Sequence, residues 1–299
     1  MFAIALCIDE SYLVPAMATL ASLADCLPPD ERRGAAVRLL TQDLSRPHVS
    51  TMAAFVRRLG FTSFDVEWRK APHGVDIVEG ASYITTTTYL RFQLTPRFVD
   101  RPYLLYLDAD VLVLSDISAP FAGLDDGRVG AVRDEFNFAV GECPALPGLV
   151  ERWPTLRGRP YFNAGALWLR SHVMPVVRAG VAEVITRRRR YIHFNDQDAL
   201  NMWLLATSRA AAVDARLNRF ELDRFLEKGD WVRRVVRRDP RSSDVGLLHF
   251  VGPMKPWQNS CPRTAGVRLY SAYLRDAIRL LHRLGGRNIG LSRDGGEPA

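Results

Sequence analysis

The sequence predicts an α/β domain in which helices flank a doubly wound, mostly parallel central sheet. Three observations carry that expectation. The first 68 residues alternate short apolar strands with segments of helical period. A long apolar run, Tyr103-Leu-Leu-Tyr-Leu-Asp-Ala-Asp-Val-Leu-Val-Leu114, is interrupted by two acids, Asp108 and Asp110. The chain has 299 residues, 47% of them hydrophobic, which is enough to bury a substantial core.

Phe2 to Ile8 reads as the first strand. Ser11 is placed to cap an apolar-periodic helix that runs to Leu27, where Pro28-Pro29-Asp30 stops it. Ala36 to Leu40 gives a second strand, Ser45 to Leu59 a helix closed by Gly60, and Phe64 to Trp68 a third strand. After a loop at 70–81, Thr85 to Phe98 is expected to be helical despite its threonines, because a fresh strand begins at Tyr103. Arg128 to Val132 is a further strand, and 141–159 is a loop rich in proline and glycine. Tyr161 to Leu169 is a strand in which Gly165 signals close approach of a ligand or a neighbouring backbone. Helices follow at 173–190 and 196–207. The charged stretch 215–243 has weak periodicity and reads as a lid or excursion. Val245 to Phe250 returns as a strand, Val267 to Leu284 closes as a helix, and Gly285 to Ala299 reads as a disordered tail. The expected organisation is one domain over 1–262, a basic amphipathic helix over 263–284 and the tail.

Composition narrows the function classes. The formal charge of +7 is mainly arginine, clustered at Arg187 to Arg190 and in Arg233-Arg-Val-Val-Arg-Arg238, which favours anionic partners. No recognition helix, aromatic RNA-binding strand or zinc finger accompanies the arginines, so specific nucleic-acid binding is not expected. A phosphorylated substrate or an anionic membrane surface uses the same charge. The C-terminal helix places Val267, Tyr270, Leu274, Ala277, Ile278, Leu281 and Leu284 on one face, bordered by Arg268, Arg275, Arg279, Arg283 and Arg287. Packing of that face on the sheet is expected, with an anionic membrane as its other destination. Cys7, Cys26, Cys143 and Cys261 show no metal or disulfide spacing, which fits a reducing compartment. The N-terminus lacks a positive n-region and no apolar run reaches the ~18 residues of a membrane span. A cytoplasmic protein is expected, with peripheral contact at the inner face of the plasma membrane as a variant.

The chemistry concentrates at a few positions. Burying the unpaired carboxylates of Asp108 and Asp110 would cost several kcal/mol each, so a cation should offset them, and a divalent metal is the best candidate. Side chains alternate along a strand, so both acids reach one ion only where the strand frays into a loop. His249 ends the strand Gly246-Leu-Leu-His-Phe250, and Gly252 and Lys255 follow in a pairing suited to a phosphate. Two carboxylates and one imidazole suit Mn²⁺ better than Ca²⁺, with Mg²⁺ as the alternative. Asn195-Asp196-Gln197-Asp198 opens an apolar helix, where Asn195 serves as N-cap and the acids favour the positive helix end. The same groups can point into a cleft and hold ligand hydroxyls.

Taken together, Tyr89-Leu-Arg91, Tyr106-Leu-Asp-Ala-Asp110, Tyr161-Phe-Asn-Ala-Gly165, Phe194-Asn-Asp-Gln-Asp198 and His249-Phe-Val-Gly-Pro-Met-Lys-Pro-Trp257 closely resemble, in order and spacing, the glycogenin-like retaining glycosyltransferases of family 8. That group includes bacterial lipopolysaccharide galactosyl- and glucosyltransferases, and the resemblance spans roughly residues 2–260. It implies a Rossmann-like nucleotide-diphospho-sugar transferase fold of GT-A type, in which Asp108, Asp110 and His249 hold Mn²⁺ on the diphosphate of a UDP-hexose. Asp9, Glu10, Ser11 and Tyr12 match the uridine-binding segment, with Tyr12 stacking on the base and Ala109 in the same nucleotide pocket. Ser11 departs from the Asn common in bacterial relatives. Gly252 and Lys255 would grip the diphosphate, while Arg91, Asp108, Asn163, Asp196 and Gln197 would contact the donor sugar and Asp134 the acceptor side.

The implied reaction moves galactose or glucose to a glycan hydroxyl with retention; the acceptor is a lipid-linked or lipopolysaccharide glycan if the chain meets a membrane, and a protein or soluble sugar if it does not. Retention needs either a carboxylate nucleophile or front-face attack guided by the departing phosphate. Asp196 and Asp198 are the nearby acids, and Gln197 presents an amide oxygen. Acceptor specificity is expected in 141–159 and 215–243. Two competing readings are a metal-dependent nucleotidyl- or phosphotransferase, for which a glycine-rich phosphate loop is missing, and a basic nucleic-acid-binding protein with structural aspartates.

Overall fold

A computed structural model describes residues 1–71, 85–228 and 244–283. The chain runs through β1 (Phe2–Cys7), α1 (Leu13–Cys26), α2 (Pro29–Gly34), β2 (Ala36–Thr41), α3 (Arg46–Arg58) and β3 (Ser63–Trp68). A 3-10 segment, Thr86–Gln93, leads to α4 (Pro96–Val99), β4 (Tyr103–Leu107), β5 (Val111–Val113), β6 (Val129–Arg133), α5 (Leu149–Arg152) and β7 (Phe162–Arg170). Then come α6 (Met174–Arg188), α7 (Asn195–Thr207), β8 (Ala210–Val213), β9 (Arg219–Phe220), β10 (Leu247–His249) and α8 (Ala265–Arg283).

Seven strands form the main sheet in the order β3-β2-β1-β4-β7-β6-β8. It is parallel from β3 through β4 and between β6 and β8, and antiparallel where β7 lies between β4 and β6. Alternation along β1 shows how both faces are covered. Phe2, Ile4 and Leu6 enter the core shared with α1, α3 and α8, whereas Ala3 and Ala5 enter the core shared with α6 and α7. The strand order reverses between β1 and β4, and such a switch point leaves a crevice at the carboxyl ends of the strands. Residues 8–12 and the Asp-Ala-Asp stretch both emerge there.

The run Tyr103 to Leu114 is two strands, not one. β4 ends at Leu107 in the main sheet, and β5 begins at Val111 in a second sheet of order β5-β10-β9. Backbone bonds from Asp108 N to Gly165 O (2.8 Å) and from Phe250 N to Asp110 O (3.0 Å) fasten the break on both sides. From beneath, the Thr19 hydroxyl of α1 donates to the Ala109 and Val111 carbonyls. The expected fraying is therefore a pinned break.

Other expectations change in detail. Ser11 lies in a 3-10 turn ahead of α1, where its hydroxyl donates to Asp9 Oδ1 at 2.6 Å, so it does not cap the helix. The Thr85 to Phe98 segment is a 3-10 turn followed by α4. Thr95 is extended, as the residue before a proline tends to be, and Pro96 then starts the short helix. Asn195 is the first residue of the helix, with φ of +49°, and the N-cap is Phe194, whose side chain makes no cap. Asp198 caps instead, accepting from the His193 and Phe194 amides at 2.6 and 2.7 Å. Strands β8 and β9, too short and unpatterned for periodicity to reveal, complete the two sheets.

The closing helix packs mainly against α1, with Gly266 close to Leu248 of β10, and Val267, Tyr270, Leu274, Ala277 and Leu281 are buried and Ile278 half-buried. Its arginines 268, 275, 279 and 283 are exposed, and the apolar face that a membrane would take is covered by the protein. No helix among the described residues is long and apolar enough to cross a membrane. The expected loop beyond residue 71, the Arg233 to Arg238 cluster, Leu284, Arg287 and the tail lie outside the described residues.

Helices α6 and α7 touch at Gly180, where an added Cβ would fall onto the indole of the buried Trp203. Replacing a mid-helix glycine by alanine gains roughly 0.5–1 kcal/mol in backbone entropy, but overpacking costs about 1–3 kcal/mol. Gly180→Ala is therefore expected to lower stability by about 1 kcal/mol or more, read as a lower urea midpoint; a raised midpoint would contradict the close crossing.

Candidate active site

A cavity of about 520 Å³ opens at the switch point. Its walls come from the ends of β1, β4, β7 and β10, the 3-10 segment before α4 and the start of α7. Cys7, Ile8, Asp9 and Tyr12 line one side, and Thr85, Thr87, Thr88 and Arg91 continue it. Asp108, Ala109 and Asp110 form the centre, facing the segment from His249 to Lys255.

The break gives its two acids different neighbours. Asp110 is buried, with Lys255 Nζ at 2.5 Å from Oδ2 and His249 Nε2 at 3.3 Å from Oδ1. Burial would raise its carboxyl, yet Lys255 and His249 outweigh that and hold it well below the usual range. Asp108 Oδ2 lies 3.9 Å from His249 Nε2, and its Oδ1 accepts from Arg91 Nη2 at 3.0 Å and from the Tyr106 hydroxyl at 2.8 Å. One ligand atom from each of Asp108, Asp110 and His249 lies within 4.8 Å of the others. Neighbouring ligands on an octahedral ion at roughly 2.1–2.4 Å stand about 3.0–3.4 Å apart, so the donor set fits one divalent cation. Gly165 makes this possible: a Cβ there would strike the His249 ring and come within 2.9 Å of Asp108 Oδ2. The close approach expected at Gly165 is by these side chains.

Arg91 is buried among oxygen partners. It donates to Thr88 O (2.8 Å) and to Ala164 O, and stacks 4.4 Å over the Tyr106 ring. Burial alone would lower its pKa, but Asp108 and Asp196 hold it above the ordinary value. Asp196 Oδ2 is 3.1 Å from Arg91 Nε, yet that N–H is directed at Thr88 O, which leaves the buried oxygen without a hydrogen-bond partner. Burial raises the Asp196 carboxyl, with Arg91 offsetting part of the rise.

Gln197 is engaged on both amide atoms. Its Oε1 accepts from Asn163 Nδ2 (2.9 Å) and Ala164 N (3.0 Å), and its Nε2 donates to Asp134 Oδ2 at 3.1 Å. Asp134 also accepts from Asn163 and from the Phe136 and Asn137 amides. Asp198 is fully buried, bonded by the Tyr161 hydroxyl at 2.6 Å besides its two backbone caps. It is structural: it does not line the cavity and holds the start of α7 in place.

Glycosyl transferase family 8 is the family whose model matches residues 3–261, the span that builds this cavity. The chain belongs to that family.

Glycosyltransferase GlyE of Streptococcus pneumoniae is 21% identical over 224 residues, 74% of this chain and 49% of that protein. The chain spans about half the length of the curated relatives it matches. Galactosyltransferase LgtC, solved in complex with donor and acceptor sugar analogs, superposes with a TM-score of 0.71 at 20% identity, covering 92% of this chain and 95% of that one. The GlyE structure gives 0.65 at 20% identity, over 95% and 63%. These likenesses establish the GT-A type fold.

Of the residues singled out in this family 8 sequence, Asp9, Tyr12, Arg91, Asp108, Ala109, Asp110, Asp134, Asn163, Asp196, Gln197, His249, Gly252 and Lys255 all line the one cavity. Glu10 and Ser11 do not: Glu10 pairs outward with His48 at 2.6 Å, and Ser11 turns back to Asp9. The sequence reading missed Thr85, Thr87, Phe136, Phe220 and Phe225 in the walls. It also missed Arg224, which is buried and donates to Glu221 Oε2 (2.8 Å), Val251 O (2.9 Å) and Met254 O. Arg224 thereby shapes the loop that carries Gly252 and Lys255. Glu221 is this cation's partner and is itself bonded by Thr264 at 2.9 Å.

A carboxyl whose folded pKa is raised adds stability below its unfolded pKa, near 3.9, and loses it as pH rises through the folded value. Asp196 is such a group. Asp196→Asn is therefore expected to raise the melting temperature at pH 7, with the advantage shrinking as pH falls toward 4. A variant less stable than the parent at pH 7 would contradict the assigned surroundings of Asp196.

Proposed function

We propose that this chain is a configuration-retaining hexosyltransferase that moves galactose or glucose from a UDP-hexose to a hydroxyl of a glycan. Its place is in the synthesis of lipopolysaccharide or another cell-surface polysaccharide, on a lipid-linked acceptor, in the cytoplasm. The catalytic unit is residues 1–262, with the helix Ala265–Arg283 packed against it. One observation carries the reading: Asp108, Asp110 and His249 converge beside Lys255 in a cavity that Arg91, Asn163, Asp196 and Gln197 also line. Family membership favours glycosyl transfer over the nucleotidyl-transfer and nucleic-acid readings that the paired acids and arginines also suggested.

Asp108, Asp110 and His249 would hold Mn²⁺, the nitrogen ligand favouring it over Ca²⁺. A bound cation supplies Lewis-acid charge to the diphosphate as the anomeric C–O bond breaks. Tyr12 and Asp9 receive the uridine, and Gly252 and Lys255 the diphosphate. Gly252 has φ of +82°, a conformation that a side chain would strain. Lys255 adds a fixed positive charge where the leaving oxygen becomes negative. On the sugar side, Asp196, which lines the cavity, accepts from a hexose hydroxyl, and Arg91, 3.1 Å from its buried Oδ2, favours the ionised carboxylate. Asp198 and Gln197 Oε1 are already engaged by protein donors and Asp196 is paired with Arg91, so front-face attack is the favoured route. There the acceptor oxygen bonds to C1 as the departing phosphate oxygen takes its proton.

The test joins binding to product analysis. Asp110→Asn is preferable to Asp110→Ala, because a truncated partner strands the buried Lys255 cation at a cost of about 3–5 kcal/mol. Calorimetry is expected to show UDP binding that Mn²⁺ strengthens and that EDTA or Asp110→Asn weakens at least tenfold. With UDP-galactose or UDP-glucose, Asp196→Asn is expected to lower turnover by about 10²-fold with UDP affinity nearly intact, and NMR of the parent's product to show an α anomeric proton. UDP affinity indifferent to metal, or a β-linked product, would contradict the proposal.

A further inference from the structure

His249 has two ring nitrogens, and they meet different partners. Nε2 faces the carboxylates, 3.3 Å from Asp110 and 3.9 Å from Asp108. Nδ1 lies 3.0 Å from Oδ1 of Asn218, a fully buried residue just before β9. Which atom of Asn218 faces the ring is decided elsewhere in the network. The Gly165 amide N–H can only donate, and it reaches Asn163 Oδ1 at 2.8 Å, so that atom is the carbonyl oxygen. Asn218 meets the same oxygen at 2.8 Å and must do so through its Nδ2. Its own oxygen is thereby turned to His249, and Nδ1 must carry a proton. In the neutral ring Nε2 is then a lone pair directed at the two acids; in the imidazolium, Nε2 holds the one proton that a cation would displace.

The Ala164 amide fixes the other end in the same way, because it donates to Gln197 Oε1 and so turns Gln197 Nε2 to Asp134. Two backbone amides in β7 thus orient three side-chain amides in series, from the histidine to the start of α7. The ring is also held by an edge contact with Phe220, centroids 5.7 Å apart, and by the bare backbone of Gly165.

We propose that Asn218 is a positioning residue for the metal site: it fixes His249 with its proton on Nδ1 and Nε2 presented to a divalent cation, and it joins that ligand to the amides holding Gln197. The assignment rests on the metal reading above for its functional consequence, but the hydrogen-bond order stands without it. Partners that orient a metal-ligating histidine typically change metal affinity by about 10–100-fold when removed. An aspartate at 218 would still accept from Nδ1 but has no N–H for Asn163.

Mn²⁺ alone is titrated into the full chain, with free ion read by electron paramagnetic resonance, for the parent, Asn218→Ala and Asn218→Asp. Asn218→Ala is expected to weaken Mn²⁺ binding about 10–100-fold while the circular dichroism of the parent is kept, and Asn218→Asp to recover most of that loss. A folded Asn218→Ala with Mn²⁺ affinity within about twofold of the parent would overturn the proposal, since a purely structural amide moves stability and leaves ligand affinity in place. In parallel, ¹⁵N NMR of the metal-free parent reads the His249 ring directly and does not depend on a variant folding. Protonation on Nδ1 is expected, and a ring protonated on Nε2 alone would overturn the assignment. A parent with no Mn²⁺ affinity would instead sink the metal reading, and the ¹⁵N result would still decide the contact.

Discussion

Compensation of two carboxylates at a broken strand is the constraint on which the rest of the site depends. An apolar run feeds two sheets, and the three residues between them deliver Asp108 and Asp110 into a largely buried place. Each acid has its own cation: Arg91 with Tyr106 for Asp108, and Lys255 with His249 for Asp110. Those cations come from segments far apart in the chain, so the charge requirement draws the 3-10 segment before α4 and the loop after β10 to the same point. Breaking a buried pair costs about 3–5 kcal/mol, more than a typical polar substitution can be expected to cost elsewhere on the surface.

The walls follow from that centre. β7 passes beside the break and supplies Gly165, whose missing side chain leaves room for His249, and Asn163 and Ala164, which orient Gln197. Asp198 secures the turn into α7 so that Asp196 lines the cavity beside Arg91. Arg224 grips the carbonyls of Val251 and Met254 on either side of Gly252 and Pro253. A site made this way is preorganised by backbone amides and buried side chains, the condition under which electrostatic stabilisation of a leaving group is most effective.

Much of this was legible in the sequence. Strand and helix alternation through Trp68 is a local property, and so is the apolar run to Leu114, which is why the parallel half of the sheet could be anticipated. The Asp-Ala-Asp stretch, Gly165 and the block from His249 to Trp257 carried chemistry in their residue types alone. Less legible were features fixed by tertiary contacts. The run splits because Thr19, Gly165 and Phe250 bond to its backbone. Asn195 looked like a cap, but the backbone there is left-handed and Asp198, three residues on, takes the task. Asn218 and Arg224 sit in a charged stretch without periodicity, and only the folded positions of His249 and Met254 give them partners.

The central claim is that one divalent cation sits at the strand break. Crystals grown with UDP and Mn²⁺, measured just above the manganese absorption edge, test it directly. The account predicts one dominant anomalous peak within coordination distance of Asp108, Asp110 and His249, on the side of the cavity facing Gly252. A strong peak elsewhere in the cavity, with Lys255 still paired to Asp110 and UDP bound without an ion, would contradict it.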